Sequence, residues 1–544
     1  MEDNIINNII NNFDLNELRI KYKDNPYILS RLSTFLNNLP TTLECENKKY
    51  EERMQRTSEL KIEQENFFKV FLSKYKYYYM GYNNLYYEYD GKSYRVVKDD
   101  HIHHKLLTTI TNEGTLMPWK HKTKQNIIKQ IKERNLFKSV PETDTIQNVL
   151  GFLQTIFQTK KESKYFLTVI GDCVLKKNNE PLLFFVSSAF KKMIGLIDSI
   201  SYITCGNSIT NSFITKYHDN HNLSLFRLIK TNENTNTISY DIVKGILNNI
   251  GLDLLCVATH YSERYTSSDT YLGLNDDIKP YTMYFISNPP DKIVADFVSQ
   301  CIEKVDIEKV DIEKISSNIS WKNMHYIWKI YLSNLQIPNM IYSNQLQNQL
   351  SKLLEHTIDG NNMNFTNITS KYLPHVSSFL LFWEKHIVET SDDDNCDDEY
   401  EIDELSMLYK KSNSNPTNIS DLEIIKMIKH YFSPQVEVID NKYIINIRCD
   451  LWAKNEDIMS FLQSYKEKML TNGLLTNGLL INETESEQQL ISLDELYEQY
   501  ISHCKIKKET IYVVSKHFFE KYLVNSMNEY IKFGKFVSYE WLYI

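Results

Sequence analysis

"LYYEYDGKSYRVV", Leu85 to Val97, is where this chain stops reading as helix. Two aromatic and β-branched runs flank Asp90-Gly91, a pair favoured at the two-residue tip of a β-hairpin. Upstream, Phe13, Leu15, Leu18 and Ile20 recur near helical spacing, and "EERMQRTSELKIEQENFFKVFLSKY" continues as a long polar run that suits a solvated, extended helix. The hairpin therefore separates a helical amino-terminal region, 1–72, from a central α+β domain, 73–300. A helical region is expected over 301–390, an acidic and polar linker over 391–416, a helix-hairpin-helix module over 417–470 and a last module over 490–544. The fold class this implies is mainly α with small β-hairpins (α+β), multidomain, with a winged-helix-like carboxy-terminal module.

A chain of 544 residues has room for several cores, and its 42% hydrophobic and 24% charged residues are ordinary for a folded protein. A net charge of -9 argues against wholesale coating of nucleic acid but leaves local basic surfaces open. The start, "MEDNIINNII", lacks a basic segment and a continuous apolar run, and no apolar stretch of about 18 residues occurs, so no membrane partner is expected. Eight scattered cysteines without a C-x-x-C pair suit free thiols in a reducing compartment. Alanine stands only at 189, 258, 295 and 453, while Asn, Ile, Lys and Tyr abound, which points to an AT-biased genome.

Working outward from the hairpin, "KDDHIHHKLL" (Lys98–Leu107) holds His101, His103 and His104 beside Asp99 and Asp100. Either aspartate is placed to cap a helix, on which the three histidines cannot all converge. A metal-dependent enzyme would need them joined by His218 and Asp219 of "KYHDNH", a spacing without the specificity of H-E-x-x-H, and no metal or other cofactor is expected. Next comes "PWKHKTKQNIIKQIKERNLFK". Ile127, Ile128 and Ile131 form its apolar stripe, while Trp119, Lys120, Lys122, Lys124, Lys129, Lys132 and Arg134 make a candidate surface for phosphates and a stacked base. The alternative is a solvated surface helix.

Residues 145–235 supply strong apolar segments for the main core, and Asp172 in "IGDCVL" reads as a cap or turn residue before it reads as catalytic. After "LDLLCV", the residues His260, Tyr261, Ser262, Arg264 and Tyr265 form a candidate ligand loop. Tandem duplications, "VDIEKVDIEK" at 305–314 and "TNGLLTNGLL" at 471–480, mark places that tolerate extra residues. Near the end, "SLDELYEQYISHC", "TIYVVSKHFFEKYL" and "KFGKFVSYEWLYI" give helix, strand, a Ser515-capped helix and a β-rich end, the order that suits a winged helix.

The hairpin, "DDHIHHKLLTTI", "PETDTIQNVL", "KYFLTVIGDCVLKKN" and "HYSERYTSSDTYL" together resemble proteins of giant, mimivirus-like DNA viruses. The arrangement over 70–235 is similar to the region preceding the ATPase in poxvirus-type primase-helicases, and the last 50 or so residues resemble the winged-helix tail of such proteins. None of the 14 glycines forms G-x-x-x-x-G-K-S/T, the loop that holds ATP phosphates, and no pair of carboxylates beside a histidine marks a primase centre. The resemblance thus implies a flanking-domain relative without the motor. The expected function is a non-catalytic viral factor that binds single-stranded DNA or RNA, or scaffolds other viral informational proteins in replication, transcription or translation initiation. It would act in the host cytoplasm, in the viral factory or the virion. The alternatives are a pure protein adaptor and the metal-dependent enzyme above.

Overall fold

The computed structural model describes residues 14–177, 182–218, 222–232, 240–305, 318–359, 362–390, 399–412, 419–471, 490–506 and 512–543. The chain is mainly helical with small sheets, an α+β architecture. Asp14 caps α1 (Leu15–Lys21), and Asn25 caps α2 (Pro26–Lys74), a helix of 49 residues with proline at its tolerant first position. Only the end of α2 meets the body, through Gln64, Phe67, Phe71 and Leu72; the rest is largely exposed.

Antiparallel strands β1 (Lys76–Met80), β2 (Leu85–Tyr89) and β3 (Tyr94–Val97) follow. The hairpin forms, but its turn spans four residues instead of two, since Tyr89 pairs with Tyr94. The reason is Asp90, whose carboxylate accepts the backbone N–H groups of Lys92 and Ser93 at 2.8 and 2.9 Å while Gly91 takes φ +97°. Two helices, α3 (Asp99–Glu113) and α4 (Lys120–Glu133), pack under this sheet. Lys98 holds the cap position of α3 without a side-chain bond, so Asp99 and Asp100 lie in the first turn and act on the helix dipole instead of capping it.

The central core is built on α5 (Thr143–Leu153), α6 (Lys160–Leu175), α7 (Ser188–Cys205) and α8 (Tyr240–Tyr265), around strands β4 (Leu183–Phe185), β5 (Phe213–Ile214) and β6 (Phe226–Leu228). These strands form a parallel sheet in the order β5-β4-β6. Both faces are covered, as parallel sheets require: Phe184 and Phe213 face the helical core, while Leu183, Phe185, Phe226 and Leu228 join a second core with residues 285–368. Among the described residues α8 alone is long and apolar enough to cross a membrane, yet 56% of its apolar window is buried against the rest of the chain.

The crossing of α6 and α8 is close. A Cβ on Gly171 would stand 2.2 Å from the Ala258 carbonyl oxygen, a distance no side chain reaches without moving backbone. Beside it Asp172, 1% exposed, accepts the Ser262 hydroxyl at 2.6 Å and the Ser268 N–H at 2.7 Å, tying α8 to the start of α9 (Ser268–Gly273). It stands in the last turn of α6, the helix-end position expected, and its side chain reaches across to the neighbouring helices. Further along α8, Asp253 accepts the Tyr94 N–H at 2.6 Å and so docks β3.

Beyond residue 290 one element order recurs three times. The first copy has α10 (Pro290–Cys301), β7 (Glu303–Lys304), β8 (Asn318–Ser320), α11 (Trp321–Asn334), α12 (Ser343–Leu353), β9 (His356–Asp359), β10 (Asn362–Thr366) and β11 (Ile368–Thr369). Its sheets are β8-β10-β9 and β7-β11. The second has α13 (Leu373–His386), β12 (Ile387–Glu389), β13 (Glu399–Glu401), α14 (Ile402–Ser412), α15 (Asp421–Tyr431), β14 (Glu437–Ile439), β15 (Tyr443–Ile445) and β16 (Ile447–Cys449), with sheets β13-β15-β14 and β12-β16. The third has α16 (Lys454–Thr471), β17 (Leu490–Ser492), α17 (Leu493–Ile506), α18 (Lys516–Ser526), β18 (Ile531–Lys532) and β19 (Phe536–Ser538), with the sheet β17-β19-β18. Each copy has a helix, a strand that leads into two helices, and a hairpin whose second strand pairs with that strand (β8, β13 and β17); the first two copies add a strand after the first helix, β7 and β12, which pairs with a strand after the hairpin, β11 and β16. Stretches 306–317, 391–398 and 472–489 lie outside the described residues, and each falls at the same point of the repeat, between its first helix and its three-stranded sheet. Both tandem duplications and the acidic run "SDDDNCDD" coincide with these points.

Several expectations change. The region 301–390 is not purely helical, for it carries β7 to β12. Within 391–416, residues 399–412 are a strand and a helix, with Tyr400, Leu405, Leu408 and Tyr409 buried, because apolar spacing within the acidic run outweighs its like charge. There Glu404 is buried in an ion pair with Lys454 of α16. The described part of "TIYVV", Tyr512 to Val514, is not a strand; Leu490–Ser492 takes that place. The helix, the hairpin turning at Asp440–Lys442 and the following helix of 417–470 are present, and Ser515 caps α18. The seven described cysteines are free.

Replacing Gly171 with alanine is expected to cost about 1–3 kcal/mol in denaturant unfolding, because the added methyl overpacks the crossing. Gly151→Ala, on an open face of α5, serves as the control and should instead gain roughly 0.5–1 kcal/mol. For Asp253, burial pushes the carboxyl from its ordinary 3.8 up to about 6, so the folded state holds the extra proton between those values. Its contribution is therefore favourable at low pH and is lost as pH rises from about 4 through 6. Asp253→Asn keeps the bond to Tyr94 without that penalty, and its stability relative to the parent should rise across this window; a flat difference would show that the carboxyl is not strained.

Candidate nucleic-acid interface

The basic segment forms α4 as expected. Thr123, Ile127 and Ile131 are buried, Ile128 is partly so, and the Gln64 amide of α2 donates to the Thr123 hydroxyl at 2.9 Å to fix the helix in place. Its outer face carries Lys122, Lys129 and Lys132 in solvent, with Glu133 as an exposed acid among them; Lys124 is partly covered.

Not every residue of the proposed surface is available. Arg134 spends its guanidinium on the Leu72 carbonyl at 3.1 Å, closing the end of α2, and Lys120 donates to the Thr111 hydroxyl at 3.1 Å. The Lys122 ammonium stands 4.1 Å from the centre of the Trp119 ring, so one face of the indole is covered by a cation that a base would have to displace or avoid. Lys132 lies 5.6 Å over Tyr79. The surface that remains is a lysine stripe edged by two rings, able to follow a phosphate backbone but poor in groups that distinguish bases.

The candidate ligand loop is no loop. His260, Tyr261, Ser262, Arg264 and Tyr265 complete the last turns of α8, because Tyr261 and Tyr265, four residues apart, stack with their ring centres at 6.0 Å. Ser262 is spent on Asp172, Tyr261 is buried, and Arg264 lies over the Tyr265 ring at 5.5 Å. Burial, then Arg264, pushes the His260 imidazole down. Tyr261 and Ser262 are packed into the core, while Arg264 is exposed.

Nor do the histidines gather. His103 pairs with Asp99 at 3.4 Å, His101 and His104 are exposed, and His218 bonds the Tyr342 hydroxyl at 3.2 Å. Asp219 lies outside the described residues, as does His221. Among the described residues no group of three or more His, Cys, Asp or Glu side chains could hold a metal ion.

A surface missed in the sequence belongs to the last helix of each repeat. On α15, Lys426 and Lys429 donate to Ser333 and Asn441; on α18, Lys516 pairs with Asp494, and Lys521 and His517 with Glu399 of the preceding repeat. Of these three helices α12 is the one without an acidic residue, and it exposes Asn344, Asn348 and Lys352. The acid-free amide-rich string "SNQLQNQLSK" was its one signal.

Changing Lys122, Lys129 and Lys132 together to glutamine should weaken single-strand binding and lower its salt slope by roughly 0.7 per lost contact, with unfolding unchanged since the buried stripe is untouched. Trp119→Ala should cost about 1 kcal/mol with the slope intact, the low end for stacking because Lys122 already covers one face. Equal binding by the triple variant and the parent at low and high salt would make α4 an ordinary solvated face.

Compared with known proteins, the chain matches no protein-family model, no curated protein and no solved structure, so its own geometry carries the functional argument.

Proposed function

We propose that this chain is a non-catalytic, nucleic-acid-binding scaffold of a viral informational complex, akin to the flanking domains of primase-helicases without their ATPase. The observation that carries the reading is the lysine stripe of α4, held rigidly by a buried apolar face and a buried Gln64–Thr123 bond. Within this reading each carboxy-terminal repeat is a winged-helix-like unit: its helix-strand-helix-helix-hairpin order, with the first strand paired to the last, is the connectivity such a module needs. The third helix of a winged helix ordinarily enters the major groove. Here α12 is the one suited to that, since amide side chains pair with adenine edges. The site of action would be the host cytoplasm, in viral factories.

One observation favours a second reading, that of a protein adaptor. The third helices of the second and third repeats engage neighbouring elements through Lys426 and Lys521, which supports units that stack into a platform.

The test is binding of the full chain to labelled single-stranded DNA, single-stranded RNA and duplex DNA. The scaffold reading expects single-strand binding that is lost with the α4 lysines, and duplex binding that falls when Asn344, Asn348 and Lys352 become alanine. No binding to any of the three, together with recovery of viral proteins in pull-downs from infected cells, would put the adaptor first. ATP turnover by pure protein is not expected, and turnover that persists through repurification would overturn the non-catalytic part.

A further inference from the structure

The carboxyl ends of β4 and β5 open onto a cavity of about 410 Å³ that α4 does not touch. Its walls include Ser187 and Ser188 at the start of α7, Thr215 and Lys216 just after β5, and Lys329 and Asn339 from the first repeat. Among the described lining residues there is no carboxylate.

Two ammonium groups are set here by neutral partners. Lys216 Nζ donates to the carbonyls of Asn339 and Ile341 at 2.9 and 3.1 Å, which leaves one N–H to spare. Lys329 Nζ donates to His430 Nδ1 at 2.9 Å, and His430 Nε2 in turn donates to the Lys322 carbonyl at 2.8 Å. His430 is thus a neutral acceptor, and burial, opposed by that carbonyl and aided by the lysines, pushes it down to about 4. Burial also lowers Lys216, and the charge of Lys329 lowers it further, so the pair repel across the cleft. Lys329 is exposed and Lys216 half-buried at this one cleft, and a bound anion would relieve their mutual repulsion.

The backbone adds donors. Ser187 caps α7 by accepting the Phe190 N–H on its hydroxyl and the Lys191 N–H on its carbonyl, and the N–H groups of Ser188 and Ala189 at the start of this 18-residue helix have no carbonyl inside it. Open α/β sheets place ligands at the carboxyl ends of their parallel strands for this reason.

We propose that this cleft binds the phosphate of a phosphate monoester, with Lys216, Lys329, the hydroxyls of Ser187, Ser188 and Thr215 and the start of α7 as its donors. Two cations match the double charge of a monoester better than the single charge of a backbone diester, and the volume beyond the phosphate admits the esterified group. This site is separate from the α4 stripe and does not depend on it.

The experiment titrates the full chain with inorganic phosphate, with a 5′-phosphorylated single-stranded oligonucleotide and with the same oligonucleotide ending in a hydroxyl. Lys329→Gln is expected to weaken phosphate binding by roughly tenfold or more, the usual loss for a charged hydrogen bond. Ser188→Pro should also weaken it while leaving the fold intact: proline suits the first helical position, and Ser187, at ψ 156°, already has the conformation that precedes proline. The variant of α4 with three glutamines should bind inorganic phosphate like the parent, so failure of the interface above and failure of this cleft are told apart. Preference for the phosphorylated end would assign the phosphate to nucleic acid; equal binding of both oligonucleotides, with inorganic phosphate still bound, would assign it to a small ester. If the parent does not bind phosphate, or if both variants bind it as the parent does, the proposal is overturned.

Discussion

The central domain depends on the contact between α6 and α8. Gly171 lets the helices close until backbone meets backbone, and Asp172 beside it draws the end of α8 and the start of α9 onto one carboxylate. Burial pushes that carboxyl up, and the hydroxyl of Ser262 and the N–H of Ser268 pull it back. The same helix carries Asp253, which holds the edge of the β-meander, so α8 is the common partner of elements far apart in sequence. A helix long and apolar enough by composition to cross a membrane is here packed against its neighbours over 56% of its apolar window.

A different economy governs the carboxy-terminal half. Short units with related element orders stack in series, and the second and third share a continuous core that Tyr326 of the first also joins. Their junction contains the buried pair Lys454 and Glu404, with the ammonium 4.2 Å from the centre of the Tyr400 ring and 4.6 Å from that of Phe518. Removing either partner of such a pair leaves a buried charge, typically a loss of about 3–5 kcal/mol, so the junction specifies how the units meet. The duplications and the acidic run fall at one recurring point in the sequence of the unit.

Charge is likewise a local matter in this chain. A net -9 coexists with a lysine stripe on α4 and with a cleft where two lysines face each other. The average says little about the local potential, which is set where cations cluster: on α4 Glu133 is the one acid, and the cleft's described lining has none.

The elements that were legible in the sequence are those decided within a few residues. The α4 stripe of Ile127 and Ile131, the hairpin at Asp90, the turn at Asp440 and the Ser515 cap rest on spacing, turn chemistry or capping. Where burial competes with local character, tertiary structure decided the outcome. The polar string from His260 to Tyr265 stays helical because Asp172 and Tyr271 pack against it, and "YEIDELSMLY" folds because its apolar residues find a core that its acidic ones do not oppose. The threefold repeat was hidden for a related reason: its units share topology and not residues, since many apolar sets can fill the same small sheet and helices. The meeting of Lys216 with Lys329 was hidden as well, because residues 113 positions apart become neighbours only when the first repeat packs on the parallel sheet, and no local pattern records that contact.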